Sequence, residues 1–173
     1  MSDAHVKIIV AVTAAVSALV VALVSAWIAR VFTNLDRKRT MYGEAYRTAL
    51  EWREMLYRVR RRDNMPESDR LITDRFHDLE ERLDFYEGWI GSESKYMARS
   101  YRKLVRASKS ATLDLIREAW EKEGKTGNAD PADQHPPASP EVSQEFLKDV
   151  RGHLSMQPWR WMLVVKRNWE DES

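Results

Sequence analysis

The chain has 173 residues, with 28 Lys and Arg against 27 Asp and Glu, and its mean hydropathy is −0.58. It contains no Cys, which excludes a disulfide framework, a zinc–cysteine site and a thiol nucleophile. These averages are typical of an ordinary soluble domain, but they conceal one apolar run. From Ile8 to Ala29, 22 consecutive residues carry no charge, and 19 of them are hydrophobic. The sequence therefore joins one apolar segment to a markedly polar remainder.

The apolar run predicts a transmembrane helix. At 1.5 Å per residue it reaches about 33 Å, close to the hydrocarbon thickness of about 30 Å. The alternative is a cleaved signal peptide, with Val24 and Ala26 as the small residues before the cut. However, the run is longer than the about 7 to 15 apolar residues of such peptides, and it continues through Trp27 and Ile28. We therefore predict an uncleaved transmembrane anchor at residues 1–34, with its span at about residues 8–29.

Basic residues flank the span unequally. Residues 1–7 contain one Lys and one Asp, whereas the other flank carries Arg30, Arg37, Lys38, Arg39 and Arg47. The positive-inside rule then places the N-terminus outside and the rest of the chain in the cytoplasm, in a single-pass protein of a bacterial inner (plasma) membrane. The first four of these basic residues are predicted to contact lipid headgroups.

Small residues recur along one face of the span, at alternating spacings of four and three. They are Ala11, Ala15, Ala18, Ala22, Ser25 and Ala29. Small side chains allow membrane helices to approach closely enough to pack. The pattern predicts self-association, or docking on another membrane helix.

The polar remainder predicts an all-α fold. Apolar residues at alternating spacings of three and four indicate three amphipathic helices. The first, at about residues 36–62, places its stripe at Tyr42, Ala45, Ala49, Trp52, Leu56 and Val59. The second, from residue 67 or 68 to Gly91, places its stripe at Ile72, Phe76, Leu79, Leu83, Tyr86 and Ile90. The third, from Ser92 or Ser94 to residue 123, places its stripe at Met97, Tyr101, Leu104, Ser108, Ala111, Leu115 and Trp120. We therefore predict a cytoplasmic antiparallel bundle of three long helices at residues 35–123. A flexible loop rich in Gly and Pro follows at residues 124–140, and residues 141–173 form a short fourth helix and a Trp-rich tail.

Charge alternates between the three predicted long helices. The net charge is +5 over residues 36–62, −7 over residues 63–94 and +5 over residues 95–125. An acidic helix between two basic ones favours complementary neighbours, although each exposed pair stabilises by only about 0.3 to 0.5 kcal/mol. The alternation is therefore expected to set register more than stability.

Two groups of residues are candidates for an interface. The basic cluster Arg58, Arg60, Arg61 and Arg62 either pairs with the acidic second helix or binds an anionic partner. The tail residues Trp159, Trp161 and Trp169 either pack back on the bundle, lie in the membrane interface or insert into a partner.

The sequence offers little support for catalysis or metal binding. Gly124-Lys125-Thr126 resembles the end of a phosphate-binding loop, but Ala119 stands where that loop needs Gly. His77 and four neighbouring carboxylates have the spacing of a helical metal site. We interpret them instead as part of a helix face that is in contact with water. We predict no enzyme, no cofactor, no metal and no small-molecule substrate, and we do not expect nucleic acid as a partner.

A helix beginning with Arg39, Tyr42, Ala45 and Tyr46, after a basic flank and an Ala/Val-rich span, resembles a group of small single-pass membrane proteins of actinobacteria and their phages. The resemblance covers about residues 6–62 and implies membrane attachment without an agreed activity. Some small anchored helical proteins act as effectors in phage defence, which supplies one hypothesis for function.

The leading hypothesis is a non-enzymatic, membrane-anchored cytoplasmic helical module that self-associates and scaffolds or senses a partner at the inner membrane face. Membrane lipid, a second copy of the chain or another membrane protein are its expected partners. One alternative is an oligomeric membrane effector that permeabilises the bilayer, and another is an accessory subunit of a larger membrane complex.

Overall fold

A computed structural model describes residues 3–124 and 140–155, with the backbone alone described at residues 4 and 6–11. It contains four α-helices: α1 (Asp3–Arg60), α2 (Pro66–Glu93), α3 (Lys95–Glu121) and α4 (Pro140–His153). No strand occurs within these ranges, so the prediction of an all-α fold is confirmed.

Helix α1 is continuous over 58 residues, where the sequence suggested an anchor followed by a separate amphipathic helix. No Pro precedes residue 66, and the Thr33 and Thr40 hydroxyls donate hydrogen bonds to the carbonyls of Ala29 and Asp36. The chain therefore stays helical through this region. The chain divides into two compact units between Thr40 and Met41.

In the first unit, the apolar part of α1 is exposed. No residue of its most apolar window is buried, and the side chains from residue 12 to residue 30 are all exposed. The large apolar side chains among them and just beyond are Val12, Val16, Leu19, Val20, Val21, Leu23, Val24, Trp27, Ile28 and Phe32. By length and composition this helix can cross a membrane, and its exposure distinguishes it from the buried helix of a soluble core.

The second unit contains the remainder of α1 and the other three helices. We call its described residues, 41–124 and 140–155, the helical body. The predicted stripe on α1 is fully buried there: Tyr42, Ala45, Ala49, Trp52, Leu56 and Val59. Near the start of this segment, the Tyr42 ring packs edge-on against Trp89 of α2 and His153 of α4. Burial, together with the nearby Glu93 carboxylate, raises the pKa of Tyr42.

Helices α2 and α3 are separated by Ser94 alone. Its hydroxyl accepts a hydrogen bond from the Met97 backbone N–H, which caps α3 as Ser residues favour. Gly91 does not end α2, since the helix continues to Glu93. A Cβ at position 91 would lie 3.8 Å from the Ala98 Cβ, which is an ordinary contact. The space at this position would therefore also accept an alanine.

Helix α4 packs on the body through Phe146. Its buried ring lies 5.9 Å from the Tyr101 ring of α3 and is stacked on Tyr46 of α1 at 6.2 Å. The Asp149 carboxylate accepts hydrogen bonds from the Tyr96 and Ser100 hydroxyls of α3. One apolar anchor and one carboxylate therefore hold this 14-residue helix in place.

Candidate functional site

The guanidinium of Arg62 lies buried where α1 and α3 end. It donates hydrogen bonds to the carbonyls of Val59 at 2.9 Å, Ala119 at 2.8 Å and Trp120 at 3.0 Å. It also donates to the carbonyl of Lys122, just beyond the end of α3. Only 7% of the residue is exposed. We call this set of contacts the Arg62 junction.

The Arg62 junction follows from the electrostatics of helix ends. The last carbonyls of an α-helix have no partner within the helix, and the negative end of the helix dipole attracts a cation there. Arg62 satisfies such carbonyls on two helices, its Nε lies 3.4 Å from the Asp69 carboxylate of α2, and its guanidinium lies 5.0 Å above the Trp120 ring. One side chain therefore connects three helices.

Gly124 closes the same junction. A Cβ at this position would lie 2.1 Å from the Arg62 carbonyl oxygen, so only Gly fits. The Asn64 side chain exchanges two hydrogen bonds with the Gly124 backbone, donating to its carbonyl at 3.0 Å and accepting from its N–H at 2.5 Å. Asn64 itself adopts a φ of 59°, which Asn tolerates better than most residues.

Beside the junction, α1 and α2 form a groove of about 700 Å³. Five arginines and two glutamates line it, so we call it the arginine groove. Its apolar lining comes from Met55, Ile72 and Leu79. The remaining lining residues are Arg47, Glu51, Glu54, Tyr57, Arg58, Arg61, Arg62, Ser68 and Arg75.

Charge is unevenly compensated along the arginine groove. Glu51 on α1 pairs with Arg82 at 2.7 Å, and it lies 3.6 Å from both Arg47 and Arg75. The hydrogen bond to Glu51 raises the pKa of Arg82. In contrast, no ion pair joins Arg58 or Arg61 to another residue of the helical body. The two arginines therefore leave the α1 end of the groove with uncompensated positive charge.

The predicted charge complementarity is present between α2 and α3. Arg102 pairs with Glu87 at 2.8 Å and Lys109 with Glu80 at 3.0 Å. Between α1 and α2 the expected roles of the two helices are largely exchanged. The acidic helix α2 supplies two arginines, Arg75 and Arg82, and both lie close to Glu51 of the basic helix α1. Of the basic cluster at the end of α1, Arg62 lies beside Asp69 of α2, whereas Arg58 and Arg61 form no ion pair with the acidic helix.

The predicted basic cluster divides by burial. Arg62 is buried, Arg60 is half-buried, and Arg58 and Arg61 are exposed. The sequence prediction treated the four arginines as one group. The Arg62 guanidinium, however, is buried in hydrogen bonds within the helical body, so a partner cannot contact it.

The predicted membrane residues lie on the first unit. Ala15, Ala18, Ala22, Ser25 and Ala29 are all exposed, while the side chain of Ala11 lies outside the described residues. The expected headgroup residues follow them: Arg30, Arg37 and Arg39 are exposed and Lys38 is half-buried. Arg39 also lies 3.4 Å from the Asp36 carboxylate.

Several sequence predictions fall outside the described residues. They concern Trp159, Trp161 and Trp169 of the tail, and most of the predicted loop at residues 124–140. His77 and its neighbouring carboxylates are described and exposed or half-buried. In the described part of the chain, no three His, Asp or Glu side chains converge as a metal ion requires.

The chain matches no known protein family, no curated protein and no solved structure.

Sequence reasoning did not identify the Arg62 junction. Two signals pointed towards it: Gly124 directly after a helix, and Asn64 between a run of arginines and Pro66. Neither indicates which of the four arginines turns inward, because that depends on where α3 ends in space.

Replacing Arg62 with Ala is expected to destabilise the helical body by about 3 kcal/mol, because it orphans buried carbonyls on two helices and the Asp69 carboxylate. The measurement is urea unfolding of the full chain in detergent micelles, followed by tryptophan fluorescence. Arg61→Ala is the matched control, since Arg61 is exposed and should change stability by less than about 0.5 kcal/mol. Equal effects of the two substitutions would contradict the role of Arg62.

Gly124→Ala is expected to lower the urea midpoint, because the added methyl group overlaps the Arg62 carbonyl oxygen. Gly88→Ala is the control, and it is expected to raise the urea midpoint. Nothing lies within 4 Å of a Cβ at Gly88, which is inside α2, so Ala should stabilise there by about 0.5 to 1 kcal/mol. An unchanged urea midpoint for Gly124→Ala would contradict the close approach of the Gly124 backbone to the Arg62 carbonyl.

Proposed function

We propose that the protein is a non-enzymatic, membrane-anchored helical module that self-associates through its span and holds a protein partner at the inner face of the membrane. The observation that carries the proposal is the long exposed apolar stretch of α1. Water does not tolerate a continuous apolar surface of this length on a monomer, whereas a bilayer does.

The charge on the two sides of the span supports the orientation in this proposal. Residues 1–7 are nearly neutral, and Arg30, Arg37, Lys38 and Arg39 follow the span. With the positive flank inside, the helical body lies in the cytoplasm.

Contacts in the helical body support an antiparallel bundle. Residue pairs run in opposite order along α2 and α3, where Glu80 meets Lys109 and Glu87 meets Arg102. The same reversal relates α1 to α2, since Trp52 packs against Phe76 and Tyr42 against Trp89. Such bundles present rigid helix faces, which suits a module that holds a partner.

The small-residue face of the span supports self-association. Alanines at alternating spacings of four and three allow two helix backbones to approach along one seam, and packing of this kind drives helix pairing in lipid. The non-enzymatic part of the proposal relies on the sequence, because its four His residues are dispersed and it has no Cys.

Orientation can be tested by labelling single cysteines, since the chain has no native Cys. Ser2→Cys is expected to react with a membrane-impermeant maleimide in intact spheroplasts. Ser92→Cys, which is exposed at the end of α2, should react only after the membrane is disrupted. The reverse pattern would contradict the proposed orientation, and release of the protein by alkaline carbonate would contradict the anchor itself.

Self-association can be tested on the span. Ala18→Leu combined with Ala22→Leu should weaken association about tenfold, because the larger side chains separate the helix backbones. Energy transfer between labelled copies in liposomes measures it. The control is Val16→Leu with Val20→Leu, which adds bulk on the opposite face. An unchanged dissociation constant in the variant with leucine at positions 18 and 22 would contradict this interface. Loss of membrane potential on expression of the wild type would favour the alternative in which the protein permeabilises the bilayer.

A further inference from the structure

We propose that the chain's own acidic segment at residues 168–172 docks in the arginine groove. Trp169 would pack on the half-buried Ile72 of the lining, and Glu170, Asp171 and Glu172 would pair with Arg58 and Arg61. The inference concerns contacts between the helical body and the tail that follows it in the chain, and it does not depend on the proposed membrane anchor or on self-association.

The shape of the groove suits an extended segment. The lining residues on α1 and just beyond its end follow one another at spacings of four and three: Arg47, Glu51, Glu54, Arg58 and Arg61. The 14 residue steps from Arg47 to Arg61 correspond to about 21 Å at the helical rise. The α2 side has the same kind of spacing, with Ser68, Ile72, Arg75 and Leu79. A small anion would occupy only one end of such a groove.

Charge at the groove favours carboxylates at the Arg58–Arg61 end. Arginine side chains recognise carboxylates through paired hydrogen bonds, and neither arginine has an ion-pair partner within the helical body. Glu51 and Glu54 line the same groove and would repel a nucleic-acid backbone, which argues for a peptide.

The chain contains a segment of matching chemistry outside the described residues. Residues 168–172 read Asn-Trp-Glu-Asp-Glu, so one large aromatic side chain precedes three consecutive acidic ones. The other undescribed stretch, residues 125–139, has only the separated Asp130 and Asp133 and no aromatic residue. Among the undescribed residues, only the tail therefore offers both the apolar group and the charge that the groove lacks.

The order of charge is also complementary. From the Tyr42 end of α1, the uncompensated groove residues are Glu54, then Arg58 and Arg61. From α4 outward, the tail presents Lys166 and Arg167, then the acidic segment. A tail that runs along the groove in this direction places basic residues near Glu54 and acidic ones near the arginines.

The connection is long enough. The end of α4 lies beside Tyr42, because His153 packs on that ring. From Tyr42 to Arg61 along α1 is about 28 Å. The 14 residues from Met156 to Trp169 span up to about 46 Å when extended. The tail can therefore reach the arginine end of the groove within one chain.

The test uses spin labels on the full chain in detergent micelles. One label is placed at Leu71→Cys, which is exposed and outside the groove lining, and the other at Ser173→Cys. Double electron–electron resonance is expected to give one short, narrow distance. Arg58→Glu with Arg61→Glu should replace it with a broad distribution, and adding Glu170→Arg, Asp171→Arg and Glu172→Arg to that variant should restore the narrow distance. Arg106→Glu with Arg117→Glu, on exposed positions of α3, should leave it unchanged.

A broad wild-type distribution would overturn the proposal, as would a narrow one that survives charge reversal in the groove. Dilution with excess unlabelled protein should not alter the distance. A short distance lost on dilution would show that the tail docks on a second copy, which contradicts docking within one chain.

Discussion

The buried guanidinium of Arg62 is the interaction on which the helical body depends. It occupies the point where α1 and α3 end, supplies hydrogen-bond donors to carbonyls of both, and meets the Asp69 carboxylate of α2. An isolated buried charge is costly, so this position is stable only because the surrounding acceptors are numerous and close. The rest of the junction is arranged around this side chain. The Arg62 carbonyl occupies the space that a Cβ at position 124 would need, so glycine is required there. Asn64 adopts a positive φ, and its side chain forms a hydrogen bond with the Gly124 backbone.

Most of the helical fold could be predicted from apolar spacing, and the exceptions have physical causes. All six residues of the α1 stripe are buried, and Leu79, Leu83 and Ile90 of α2 are buried as expected. Towards the end of α3 the core follows Thr112, Ile116 and Ala119, whereas the sequence suggested Ala111 and Leu115. Thr112 was not expected because its hydroxyl is polar. It is buried without penalty because it donates to the Ser108 carbonyl of its own helix.

The candidate site was less predictable, because it depends on neighbours that sequence periodicity does not identify. The arginine cluster was recognised, but only the packing of α3 against the end of α1 separates Arg62 from Arg58 and Arg61. Net charge per helix was also misleading at this point. The acidic helix directs Arg75 and Arg82 towards Glu51 of α1, while Arg58 and Arg61 have no ion pair within the helical body and line a groove. The tail residues that could complement this groove lie outside the described residues.

We propose that the exposed apolar stretch of α1 lies in a bilayer. Spin labels placed one at a time from residue 12 to residue 40 can show this after reconstitution in liposomes, because the chain has no native Cys. Collisions of the labels with oxygen should exceed those with a polar nickel reagent from Val12 to about Ala29, and the ratio should reverse by Arg37, where the charged flank begins. Access of the nickel reagent to every third or fourth position from Val12 to Ala29 would contradict it, because that periodicity belongs to a helix with one face in water.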